Sequence, residues 1–476
     1  MLPNKFVTDR LFCIVCRLVI LLTISGIAQT RKAASRPFNP FNVRNLQFDV
    51  FIPAARALAM GGSAIALPDD PSSATINPAG IAQISRPAIS ATTRINYRNF
   101  SEPAVDITGK ANDVDDRDTF LDQTLISAIA VIKGFQLSTF RENIFDARLS
   151  FEALQPFSIL PGERPETVLQ QNFPSRRTAL RTQIISNGLS AATRISRRFN
   201  LGISLRLIRL EYRLSERQYF ANNWNLAEEN AQPVSQFSAN NLYFLQTIDD
   251  RKTRLGFTLG FLGRLSDRLV VGAVYHFRPS FRLHSQVFLP AYNIKTGDST
   301  IVFPTQPEGN SAFKFNLPDT WGVGLAYKYR GWMNIALDVL RIRNSEMINL
   351  DNDIILGVVD FRNLIQDDVN GRDPDGQRDI TMKDQWEIHV GVEYLFKLLP
   401  RRKRFPLRVG YYYKPGGLLY ATNTPPKLQR AFPKSKGVHH LTGGLGIFWS
   451  DQLRLDGALD ISSQGFVLMG SSAFTF

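Results

Sequence analysis

The chain has almost no cysteine. Its only two, Cys13 and Cys16, lie in the first 28 residues. The remaining 448 residues, free of cysteine, therefore cannot be a disulfide scaffold. The C-x-x-C spacing has no second pair to complete a zinc site or a redox context, and no cysteine stands at a lipoprotein cleavage point. Long apolar runs are missing too. The longest, from Leu11 to Ile27, is interrupted by Arg17 and is shorter than the roughly 20 residues a membrane helix needs. Histidine is scarce: His276, His284, His389, His439 and His440 are the full set. None sits in a nucleophile motif of the kind serine or cysteine hydrolases use, so no enzyme, catalytic residue, cofactor or metal is expected.

The front of the chain reads as an export signal. Lys5, Arg10 and Arg17 precede the apolar run Leu18–Ala28, and Gly26-Ile27-Ala28 provides the small-x-small pattern of a cleavage site. Residues 1–28 are expected to be a signal peptide. The net charge of +14 asks for an anionic partner. The basic residues are spread along the chain and no nucleic-acid motif appears, which leaves a lipid surface rather than nucleic acid.

From Ala88 to Phe476 the dominant signal has period two. In Leu255–Leu265, Leu255, Phe257, Leu259 and Phe261 share one face, against Gly256, Thr258, Gly260 and Arg264. After the turn Ser266-Asp267-Arg268, a second strand alternates Leu269, Val271, Ala273, Tyr275 and Phe277 against Gly272, His276 and Arg278. The same pattern recurs in Trp321–Val339, Trp386–Phe396, Pro406–Lys414 and Leu441–Ile461. Three features distinguish a membrane barrel from a soluble sandwich. The strands reach the 9–11 residues needed to cross hydrocarbon. Aromatic residues (Trp321, Trp386, Tyr411 to Tyr413, Trp449) gather at strand ends. Short turns alternate with long polar loops such as Glu216–Asn240 and Arg343–Lys383. The expectation is an all-β protein: a transmembrane antiparallel β-barrel of about 14 strands over residues 88–476. The last strand puts Phe466, Leu468, Phe474 and Phe476 on one face, and Phe474 and Phe476 are the expected signal for the barrel-assembly machinery.

A barrel of that size encloses water unless something fills it. The filler expected is residues 29–87, an N-terminal hatch plugging the lumen. Its small-residue core, "GGSAIALPDDPSSATINPAGIAQ" (Gly61–Gln83), is too broken by proline and glycine for a helix and too poor in alternation for a strand. Small residues permit close approach to a wall, and Asp69, Asp70 and Asn77 would offer acceptors to inward arginines.

Met60-Gly61-Gly62, Asp69-Asp70, Ser72-Ser73-Ala74 and Asn77-Pro78-Ala79-Gly80 resemble the hatch signature of the outer-membrane long-chain fatty-acid transporters, the FadL/TodX (OMPP1-like) family. The stretches Leu317–Tyr329, Leu407–Pro415 and His439–Trp449 resemble that family's strand motifs. The resemblance implies a monomeric fourteen-stranded barrel in the bacterial outer membrane, in contact with its lipid and lipopolysaccharide. Its implied function is passive uptake of long-chain fatty acids or other hydrophobic molecules, gated by the hatch. Two departures stand out: the lead-in Gln29–Pro53 is long, and the chain is unusually basic. PorV-like barrels that serve protein secretion or surface attachment share the Met-Gly-Gly and Asn-Pro-Ala elements, so the motif supports the architecture more than the cargo. A carboxylate ligand needs a buried cation; Arg264, Arg278 and Arg408 are the candidates, with ordinary pairing to inward carboxylates as the alternative. The acidic run Asp367–Asp379 lacks the full spacing of a calcium loop.

Overall fold

The computed structural model describes residues 52–67, 70–102, 114–132, 134–153, 175–219, 242–290, 292–296, 299–303, 306–347, 380–398, 403–416, 419–421 and 437–476. The expected leader, Asp69 and the acidic run 367–379 lie outside the described residues.

Six long strands come first: β1 (Ala88–Glu102), β2 (Val114–Ile132), β3 (Phe135–Ala153), β4 (Ser175–Arg194), β5 (Phe199–Tyr219) and β6 (Leu242–Arg264). The next two crossings are each broken in the middle. β7 (Leu269–Phe277) and β8 (Ser280–Leu289) are separated by Arg278-Pro279. β11 (Gln306–Asn316) and β12 (Thr320–Tyr329) are separated by residues 317–319. The small hairpin β9 (Tyr292–Thr296) and β10 (Ser299–Phe303) forms its own sheet between them. Asn316 opposes Ser280 and Thr320 opposes His276, so each broken pair keeps one register across its interruption. Six shorter crossings complete the wall: β13 (Met333–Ile342), β15 (Gln385–Leu398), β16 (Lys403–Lys414), β18 (Val438–Phe448), β19 (Leu453–Ser462) and β20 (Gly465–Thr475). On the loop side, β14 (Ile380–Met382) pairs with β17 (Leu419–Ala421).

With each broken crossing counted once, the wall is a closed ring of 14 antiparallel strands. The last strand closes it: β20 pairs with β1 from Ala88 opposite Thr475 to Arg98 opposite Gly465, and Phe476 N–H donates to Pro87 C=O at 2.9 Å. Closure is obligatory in hydrocarbon, where no water is available to satisfy an open strand edge.

The period-two pattern sorts as expected. Leu255, Leu259, Val323, Leu325, Trp386, Ile388, Leu441 and Phe466 are exposed on the outer face, whereas Thr258, His276, Asp338, Glu387, His389 and Glu393 are buried on the inner one. One turn type recurs at the end of the barrel that carries both Ala88 and Phe476. Ser196, Ser266 and Ser450 each accept, through Oγ, the backbone N–H groups two and three residues ahead, and each closes its turn by donating its own N–H to the carbonyl of the third residue. A serine at the turn start thereby supplies the acceptor that a tight hairpin otherwise leaves to water.

The face assignment has a measurable consequence. Leu205 is 59% exposed, in the apolar outer run of β5. Leu205→Arg is expected to destabilise the barrel by about 2–4 kcal/mol, the cost of a cation near the bilayer midplane. Leu205→Ala removes less apolar surface and should cost about half as much or less. Reversible denaturant unfolding into lipid vesicles would measure both. Equal effects would mean that Leu205 does not face hydrocarbon.

Candidate functional site

The segment from Ile52 to Ile84 crosses the inside of the ring. It holds a short helix (Ala55–Ala59), a second of one turn (Ser73–Ile76) and a 3-10 turn (Pro78–Gln83). Nearly all its described residues are buried. Such short pieces leave most of their backbone groups unpaired internally, and the inner wall provides the partners. Ala55 N–H donates to Ser471 Oγ (2.8 Å) on β20, and Gly61 N–H to Thr442 Oγ1 (3.0 Å) on β18. Ala64 and Ile65 N–H both donate to Asp338 Oδ2 on β13, at 2.7 and 2.8 Å. His389 Nδ1 on β15 donates to Gly61 C=O at 2.7 Å. On the opposite side, Ser127 Oγ on β2 donates to Pro71 C=O, and Ser190 and Ser204 Oγ on β4 and β5 donate to Ala74 C=O. Asn77, fully buried, donates from Nδ2 to Ile65 C=O and to Phe261 C=O on β6, while its Oδ1 caps the 3-10 turn through Ala79 N–H. Pro78, the first residue of that turn, fits there because it has no N–H to leave unpaired.

Close approach depends on glycines of the wall that face each other across neighbouring strands. Gly391 opposes Gly410, Gly202 opposes Gly260, and Gly272 opposes Gly324. A Cβ on Gly391 would lie 2.3 Å from Met60 O, and one on Gly410 2.1 Å from Gly61 N. The Gly202/Gly260 pair seats Asn77-Pro78-Ala79 in the same way, and the Gly272/Gly324 pair seats Ile65-Ala66. Gly61 and Gly62 themselves adopt φ of 62° and 79°, a left-handed turn that other residues resist.

An ion-pair chain ties this segment to the wall. Arg56 forks onto Glu393, Nε to Oε2 at 3.1 Å and Nη2 to Oε1 at 3.0 Å. Glu393 also accepts from Arg408 Nε (2.7 Å) and Asn334 Nδ2 (2.8 Å); Arg408 continues to Asp456 (2.8 Å), which Arg454 approaches at 2.9 Å. A second cluster holds the other end. Arg206 donates to Glu142 Oε2 (2.7 Å), Thr258 Oγ1 (2.9 Å) and Thr75 C=O (2.7 Å), with its guanidinium 4.9 Å from the Phe140 ring centroid.

The structure reverses one sequence expectation. Asp70 and Asn77 do not accept from wall arginines: Asp70 caps Ser72 and sits 4.0 Å from Arg56 of its own segment, and Asn77 binds backbone. The carboxylates that meet the segment, Asp338 and Glu393, come from the wall, while wall hydroxyls, His389 and Arg206 donate to the segment's carbonyls. Of the three candidate arginines, Arg408 is engaged by Glu393 and Asp456, and Arg264 is exposed beside Gln83 Oε1 (3.3 Å). Arg278, at the break between β7 and β8, is buried, and its Nη1 has no hydrogen-bond partner among the described residues. Sequence reasoning missed Arg56, although a lone cation within the small-residue run "ARALAM" was the visible signal.

Among the described residues the wall ladder is interrupted between β6 and β8, where residues 248–256 of β6 have no partner in β7 or β8, and between β2 and β3. β2 pairs with β3 only from Ile132 opposite Phe135 to Leu125 opposite Glu142. Beyond that level β2 stays with β1 up to Val114, and β3 stays with β4 up to Ala153 after a register shift between Asn143 and Phe145. Among the described residues the two strands share no ladder there. Phe120, Leu125, Ile144 and Phe145 are buried apolar residues flanking the parting, and Ser127, which holds Pro71, lies just below it.

A family model described as outer membrane protein transport protein (OMPP1/FadL/TodX) matches residues 51–425. Among solved structures, the chain is similar to a Pseudomonas aeruginosa FadL homologue (TM-score 0.56, 13% identity, 90% of this chain and 98% of the other). It is also similar to the P. putida toluene transporter TodX (0.56, 12%, 90% and 99%) and to the monoaromatic hydrocarbon channel CymD (0.55, 14%, 90% and 99%). No curated protein matches it in sequence.

Two substitutions test how the inner segment is held. Asp338→Ala leaves two buried N–H groups unpaired, at about 1–3 kcal/mol each. Hydrogen exchange at Ala64 and Ile65 is expected to quicken about tenfold or more, with barrel mobility on unheated gels unchanged. Gly410→Ala should loosen Leu58–Ser63 in the same assay and leave Ser73–Gln83 protected. Uniform loosening of both stretches would mean that the segment moves as one unit rather than through separate seats.

Proposed function

The chain belongs to the outer membrane protein transport protein family (OMPP1/FadL/TodX), and from that premise we propose that it is a passive outer-membrane channel for hydrophobic small molecules. Residues 29–87 act as its hatch. The observation that carries this reading is the β2–β3 parting directly above the level where Ser127 holds Pro71. A segment seated by many small polar contacts can shift without unfolding the wall. Such a shift would connect the apolar residues around the parting with the lumen, and a hydrophobic solute could then leave sideways through the wall rather than cross the buried ion pairs of the lumen. The closed ring needs no second copy, which supports a monomer.

Within that class the ligand we favour is a long-chain fatty acid. Arg278 supports it: a buried guanidinium with an unpartnered Nη1 can pair with one carboxylate oxygen, a charge-assisted bond stronger than a neutral one. Arg408 serves the architecture instead, since both its carboxylate partners belong to the wall. Arg264, exposed beside Gln83 at the serine-turn end of β6, lies off the sideways route and is not assigned to the ligand.

Uptake of labelled oleate and labelled toluene by cells lacking their own transporter tests both levels. Expression of the intact barrel is expected to raise uptake of at least one. Asn77→Ala with Pro78→Ala should change that uptake at equal surface level. Arg278→Met should cut oleate uptake about tenfold and leave toluene unaffected. Equal loss of both solutes in Arg278→Met would assign Arg278 to the structure rather than to the ligand. No uptake of either solute by a correctly inserted barrel would count against the channel reading and favour a PorV-like role in protein secretion or surface attachment.

A further inference from the structure

We propose that the outer faces of β3, β4 and β5 carry a binding site for the phosphate groups of a phosphorylated glycolipid in the outer leaflet. The proposal rests on the outer-membrane placement of the family and is independent of what the channel transports.

On β5 the outward side chains run Phe199, Leu201, Ile203, Leu205 and Leu207, all apolar, and then Arg209, Glu211, Arg213, Ser215 and Arg217. The change of character marks the edge of the hydrocarbon. A band about 25 Å tall takes about nine to eleven tilted strand residues, and Phe199–Leu207 fills it. The stretch from Arg209 to Arg217 lies at the headgroup level, on the side of the barrel opposite the short serine turns.

At that level the register brings cations together. Arg148 on β3 opposes Arg181 on β4, which in turn opposes Arg213 on β5. All three are exposed; the side chains of Arg148 and Arg213 are 50% and 60% accessible. Four residues further from the membrane, Arg177 opposes Arg217. Directly opposed like charges destabilise a sheet pair, so such a row is costly unless an anion completes it. Among the described residues the acids nearby balance it only in part. Asp249 pairs with Arg213 (3.3 Å), and Glu211 is shared between Arg209 (3.3 Å) and Arg251 (3.2 Å). The carboxylate near Arg148 is that of Asp146, at 3.9 Å and buried. Arginine forks match phosphate oxygens bidentately, and successive strands about 4.8 Å apart space the three guanidinium groups along a row that a bis-phosphorylated headgroup can span. Further down the same strands, toward the bilayer centre, exposed Leu189 and Leu205 belong to the apolar surface that acyl chains would cover.

The full-length barrel, purified in detergent and stripped of lipid, would be mixed with bis-phosphorylated lipid A, the same lipid with both phosphates removed, or phosphatidylglycerol. Retained lipid would be read by native mass spectrometry. The phosphorylated glycolipid is expected to be retained at least tenfold more than either comparison lipid. That preference should fall with rising salt, as charge-driven binding does. Arg148→Ser with Arg181→Ser and Arg213→Ser should abolish the preference, whereas the matching triple lysine variant should keep most of it. Heat-modifiable gel mobility would show that each variant folds. Equal retention with and without phosphates, equal retention of phosphatidylglycerol, or an unchanged serine variant would overturn the assignment. Should the serine variant fail to fold, the comparison of lipids on the unmodified barrel and its salt dependence decide the question alone.

Discussion

Every backbone N–H and C=O that enters a membrane must find a partner within the protein, and this barrel meets that demand twice. The wall meets it by closing, with β1 against β20. The inner segment cannot join a ladder, because its prolines and glycines prevent both helix and strand over useful lengths. Its backbone groups are instead satisfied one at a time by inward side chains from seven wall strands: Ser127, Ser190, Ser204 and Arg206, Asp338, His389, Thr442 and Ser471. The polar inner face of the barrel is thus the complement of a chain that makes little regular structure of its own.

That arrangement explains two compositional features at once. The wall needs glycine where the segment passes closest, and the cross-strand pairs Gly391/Gly410, Gly202/Gly260 and Gly272/Gly324 each seat a different short stretch. The segment needs small residues and donors, with Arg56 as a long arm into the wall's carboxylates. Many short hydrogen bonds, each contributing about 1 kcal/mol, hold the segment in register, which suits the hatch movement proposed for it. The buried fork between Arg56 and Glu393 anchors the segment near one end.

Asymmetry around the barrel separates two tasks. The long strands β1 to β6 rise above the hydrocarbon band. They carry the β2–β3 parting and the outward arginine rows, and β6 borders the interruption between β7 and β8 that places Arg278. The shorter strands β13 to β20 hold the ion-pair chain and the first part of the segment. The proposed solute route and the proposed lipid site therefore both fall on the side of the wall whose strands have length to spare.

Much of this was legible in the chain. Period-two alternation yields inner and outer faces without knowledge of any neighbour, because a strand's side chains must alternate, and it sorted Leu255, Trp386, His389 and Phe466 correctly. Strand length against hydrocarbon thickness gave the barrel, and Met-Gly-Gly with Asn-Pro-Ala-Gly gave the family. Pairing across the lumen was not legible. Whether Arg408 meets a ligand or Glu393, whether Asn77 serves an arginine or two carbonyls, and whether Arg148, Arg181 and Arg213 share a row all depend on strand register and closure. Register is set by the sum of many ladder bonds over the whole ring. Face is a local property that the sequence determines alone; neighbourhood is a property of the closed sheet, and only the tertiary structure decided it.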